Sequence, residues 1–130
     1  MERRPIVRHT DETEPLPCPL GTTRRVVTGG EGGVANVHVI TVAGGRPHYH
    51  EGYDEVYYFL SGEGTLRMGG ENHAVRRGTV AVIPRGTVHS LESSGEAPLE
   101  FVIFGVPPMS ADDPRFTPRR PETPEDGPCS

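Results

Sequence analysis

Pro47-His48-Tyr49-His50-Glu51-Gly52-Tyr53-Asp54-Glu55 is the stretch on which the reading of this chain turns. Side chains two apart on a strand point to the same face, so His48 and His50 can reach one point in space. The turn containing Gly52 then lets Glu55 approach from the next strand. A second punctuated stretch, Gly78-Thr79-Val80-Ala81-Val82-Ile83-Pro84-Arg85-Gly86-Thr87-Val88-His89, supplies one more histidine. Three imidazole nitrogens and one carboxylate converging in an apolar pocket describe a divalent transition-metal site.

Outward from these motifs, the chain reads as short extended runs separated by turn signals roughly every ten residues, with no credible helix. The expected strands are Arg24–Thr28, Val34–Val42, His48–His50, Glu55–Leu60, Gly64–Met68, Asn72–Val75, Val80–Ile83, Thr87–Glu92 and Leu99–Phe104. Gly69-Gly70, between Leu66 and Val75, is the clearest hairpin turn. This spacing indicates an all-β sandwich or jelly roll. Leu99, Phe101 and Ile103 alternate with Val102 and Phe104, so both faces of the last strand are apolar. Such a strand is covered on both sides, by a second sheet or by a dimer interface.

Eleven of the fourteen prolines lie outside residues 22–106, whereas fifteen of the seventeen glycines lie inside it. The 130 residues thus divide into an N-terminal arm (1–23) with Ile6-Val7 as a possible edge strand, a barrel (24–106), and a Pro-rich tail (107–130) that cannot form a ladder and is extended or disordered. All 13 cationic side chains are Arg, which excludes Schiff-base chemistry by a lysine. A net charge of −5 with no basic stripe argues against a nucleic-acid partner. No apolar run is long enough for a membrane span or resembles a signal-peptide core, so a cytoplasmic location is expected. In that reducing compartment Cys18 and Cys129 are expected to be free thiols.

The run from His48 through His50 and Glu55 to Gly62 resembles the first motif of the cupins, and Gly78, Pro84, Gly86 and His89 resemble their second. Fifteen residues separate Gly62 from Gly78, similar to the spacing of small single-domain bacterial cupins. Two positions depart from the pattern: Val42 stands where the first motif opens with glycine, and Ser93 stands at the polar position after the last histidine. Neither would supply a ligand. The resemblance implies a double-stranded β-helix, or jelly-roll, barrel that is commonly dimeric. It makes His48, His50, Glu55 and His89 the metal ligands, with neighbouring coordination positions left for substrate or oxygen. The ligand set suits Fe, Mn, Ni or Zn, and the sequence does not choose among them.

Three further side chains are candidates for catalysis. His38 lies in the alternating run Val37-His38-Val39-Ile40, where it would serve as an acid or base if it faced the barrel. The simpler expectation is that it faces outward with Asn36. Tyr57 shares strand parity with Glu55 and is expected to project inward beside it, where it could hydrogen-bond a substrate oxygen. Arg46 precedes the ligand strand and could clamp a carboxylate or enolate oxygen, as could Arg85. The function expected is that of a metal-dependent enzyme acting on a small oxygenated molecule, with an aromatic or polyketide-type metabolite of bacterial secondary metabolism as one candidate. It would work as a dioxygenase, or as a Lewis-acid isomerase, cyclase or lyase. The alternative is a non-catalytic, metal-dependent binding or sensing module.

Overall fold

A computed structural model describes residues 5–18, 20–31, 34–42, 44–45, 47–108 and 115–116. It contains eleven strands: β1 (Leu16–Cys18), β2 (Gly21–Val27), β3 (Asn36–Val42), β4 (His48–Tyr49), β5 (Asp54–Ser61), β6 (Glu63–Met68), β7 (Glu71–Arg76), β8 (Val80–Ile83), β9 (His89–Ser93), β10 (Leu99–Val106) and β11 (Arg115–Phe116). All pairings are antiparallel. They build one sheet in the order β1-β2-β3-β10-β5-β8 and a second in the order β11-β4-β9-β6-β7. No α-helix occurs among the described residues, and none of their helices is long and apolar enough to cross a membrane. The expected jelly-roll barrel is the observed architecture.

Alternation decides which side chains form the core. On β10, Leu99, Phe101 and Ile103 are fully buried, while Glu100, Val102 and Phe104 are only partly covered. Facing them across the barrel are Leu66 and Leu91 from the second sheet. The aromatic centre is Tyr57, Phe59 and Phe101, with Phe101 centroids 4.7 Å from Tyr57 and 5.1 Å from Phe59. The Gly69-Gly70 hairpin is present as read. Met68 pairs with Glu71 across a two-residue turn in which both glycines have positive φ, +58° and +85°.

Several expectations change. The edge strand of the first sheet is Leu16–Cys18, not Ile6-Val7, whose residues are exposed and outside any strand. The arm instead docks through Arg8, which donates to the Val26 carbonyl at 2.6 Å and forms a two-pronged ion pair with Glu31 at 3.0 and 2.8 Å. Hydrogen bonding from Arg8, then from the Thr28 backbone, lowers the Glu31 carboxyl to about 2. Cys18 is buried and disulfide-bonded rather than a free thiol; it packs into the core cluster from the edge strand. Cys129 lies outside the described residues. Within the Pro-rich tail, Arg115 and Phe116 do form a ladder, pairing with Tyr49 and His48; they fall between Pro114 and Pro118, so both retain the N–H that a proline lacks.

Candidate metal centre

His48 lies on β4 directly opposite His89 on β9, so register alone brings these two rings to centroids 4.3 Å apart. His50 follows just beyond the end of β4. Its carbonyl accepts the Gly86 N–H at 2.6 Å, while Arg85 donates to Asp54 Oδ1 through its backbone at 2.9 Å and its side chain at 3.1 Å. The turn of the second motif is thereby fastened to both ends of the first motif's loop. Arg85 is turned to the surface in this ion pair, not toward the barrel, and about half of it is exposed. Glu55 enters from β5 in the other sheet, so the centre lies between the sheets.

The ligating atoms of His48, His50 and His89 all lie within 4.8 Å of one another, and each residue is buried. Glu55 Oε1 stands 3.3 Å from His50 Nε2 and 3.2 Å from His89 Nε2. His89 Nδ1 lies 2.9 Å from the Thr87 carbonyl, which can only accept. That nitrogen therefore carries a hydrogen, and Nε2 is the ring atom turned toward the Glu55 carboxylate oxygen in a dry interior. Accordingly, His89 Nε2 and Glu55 Oε2 are buried without a hydrogen-bond partner. A divalent cation placed among these atoms would satisfy them together. The side chains thus suit a divalent metal in chemistry, in convergence and in these unsatisfied atoms.

Burial pushes the Glu55 carboxyl up, but contacts with His50 and His89 act more strongly and hold it well below the usual carboxylate range. It is a carboxylate here. Burial first, and the Glu55 charge next, push the Tyr57 phenol well above its ordinary value, so it stays protonated. Tyr57 projects inward as expected, its hydroxyl 3.4 Å from Glu55 Oε1.

His38 does not face outward. Asn36, His38, Ile40 and Val42 form the buried face of β3, and both Asn36 and His38 are 4% exposed. In register, His38 lies across Ile103 from Tyr57, and Asn36 lies across Gly105 from Glu55. The wall facing the histidines therefore carries Asn36, which sequence reasoning set aside. Its signal was parity with His38. Tyr53 was also passed over as a site residue; it is 1% exposed and its hydroxyl lies 2.6 Å from His50 Nδ1. Arg46 lies outside the described residues.

Comparison with known proteins agrees with this geometry. The family model of the cupin domain matches residues 36–105. The chain belongs to the cupin family. It is 40% identical over 55 residues to an oxalate-binding protein of Thermotoga maritima, a match covering 42% of this chain and 46% of that one. The chain spans about half the length of the curated relatives it matches. A solved structure from Planctomyces limnophilus superposes with a TM-score of 0.79 at 22% identity, covering 87% of this chain and 97% of the other. Pac13 from Streptomyces, a nucleoside dehydratase, superposes with a TM-score of 0.69 at 18% identity, covering 96% and 99%. At these identities the structural likenesses establish the fold alone.

Proposed function

We propose that this protein is a metal-dependent enzyme acting on a small oxygenated metabolite, with His48, His50, Glu55 and His89 as its metal ligands. The observation that carries this reading is the convergence of three buried imidazoles, their ligating atoms within 4.8 Å of one another, beside a buried carboxylate oxygen 3.2 Å from His89 Nε2. Bound there, the ion supplies Lewis acidity toward a carbonyl or hydroxyl oxygen, as an isomerase, cyclase or lyase needs, or, if it is iron, a site for oxygen chemistry as in a dioxygenase. The chain's own residues supply the rest. Tyr57 offers a phenolic proton beside Glu55, His38 and Asn36 present polar groups from β3, and the packed aromatic centre closes the barrel beneath them. Arg46 remains a candidate clamp for an anionic oxygen.

Elemental analysis of untagged protein, with EPR after exposure to nitric oxide, tests the reading. Near-stoichiometric iron with a nitrosyl signal selects oxygen chemistry, whereas zinc, nickel or manganese without it selects Lewis-acid chemistry. Metal-free protein that is folded and stable would refute the enzyme reading. It would favour a binding module that works without metal, a role to which the similarity to an oxalate-binding protein lends support.

The proposal includes a homodimer, a cytoplasmic setting and no nucleic-acid partner. Support for the dimer comes from the outer face of the first sheet. Val80 and Val82 on β8 pair with Tyr58 and Val56 on β5, which pair in turn with Val102 and Phe104 on β10. Val80, Val82 and Tyr58 are 60%, 58% and 44% exposed. An apolar stripe running across three strands suits a self-complementary contact. Val82→Glu should convert a dimer to a monomer in light scattering; a monomeric wild type, or a dimer that survives the substitution, would refute this assignment.

A further inference from the structure

His50 and His89 hold their Nδ1 atoms in different ways. The Thr87 carbonyl beside His89 can only accept, which fixes that ring with hydrogen on Nδ1. The partner of His50 Nδ1 is the Tyr53 hydroxyl, 2.6 Å away, and a hydroxyl can donate or accept. The phenol ring also stacks on the imidazole, with centroids 4.5 Å apart and planes 28° from parallel. Tyr53 is 1% exposed, so the stack is set within packed surroundings.

We infer that Tyr53 is the positioning residue for His50 at the metal centre: its phenolic oxygen accepts Nδ1–H, which turns the Nε2 lone pair toward His48 and His89, and its ring fixes the imidazole plane. The inference rests on the metal reading above. In metal-free protein the same hydroxyl can donate to Nδ1 instead, leaving Nε2–H for Glu55 Oε1 at 3.3 Å. Tyr53 serves both states; a phenylalanine would serve neither. His89 has no such freedom, because its partner is a backbone carbonyl. It is therefore an internal control within the same centre.

Tyr53→Phe retains the ring and removes the oxygen. Zinc affinity, measured by competition with a chromophoric chelator, should fall about 10- to 100-fold, while the metal-free variant should still fold cooperatively, its melting temperature lowered only by the loss of one buried hydrogen bond. In zinc-loaded protein labelled with ¹⁵N-histidine, the His50 Nδ1–H should give a slowly exchanging signal in wild type that the variant loses. The His89 Nδ1–H signal should persist in both. Unchanged zinc affinity would overturn the inference, as would loss of both signals, which marks a merely structural role. Wild-type protein that takes up no zinc would remove the metal reading and this inference together. Failure of the inference alone shows instead as normal zinc uptake by wild type and variant alike.

Discussion

Replacing His50 by Ala should strip the protein of stoichiometric metal. The side chain supplies one of three imidazole nitrogens gathered within 4.8 Å, and its backbone is already placed by the Gly86 N–H. The substitution should therefore remove a ligand without unfastening the loop. Affinity should drop at least about a hundredfold, because the remaining donors no longer enclose the ion. Elemental analysis after desalting reads the effect directly, and full occupancy in the variant would overturn the ligand assignment. His73→Ala is the control. That residue lies on β7 with its side chain 44% exposed, so its loss should leave metal content unchanged.

The second large effect is on stability. Phe101→Ala should destabilise the barrel by about 3–5 kcal/mol, the range for deleting a buried aromatic side chain and leaving a cavity. Phe101 is fully buried, packs against Tyr57 and Phe59, and lies on the strand that joins β3 to β5. With folding free energies of about 5–15 kcal/mol for a domain, this loss approaches the point of unfolding. Denaturant titration of wild type and variant measures it. A loss below about 1 kcal/mol would mean that the aromatic centre is not the principal core, since surface substitutions fall in that range. Val102→Ala, on the outer face of the same strand, should cost much less in a monomer.

The convergence of His48, His50, Glu55 and His89 was legible in the sequence because two independent rules agreed: strand parity for His48 and His50, and the Gly- and Pro-bounded turns for Glu55 and His89. The core strands were legible for the same reason, since inward and outward residues alternate cleanly on β10. Alternation failed on β3. Its apolar residues, Val37, Val39, Ile40 and Val42, fall on both faces, so the pattern alone could not orient His38. The inward face turns polar toward Asn36 because that end lies level with Glu55, a fact of register and not of composition. Tyr53 escaped because a turn has no period to reveal where a side chain points. Arg115 and Phe116 escaped because proline content describes a segment's average, whereas pairing depends on which residues keep their N–H.

The position of β10 between β3 and β5 bears on how the chain folds. Fifty-six residues (43–98) lie between the neighbours β3 and β10 in sequence, and until Leu99–Val106 arrives both flanking strands present an open edge. The first sheet therefore cannot be completed from its early strands alone. A nascent chain lacking β10 would hold its hydrophobic strands without their central partner and would be exposed to misassembly. Such non-local pairing places folding in the slow, millisecond-to-second class of all-β domains.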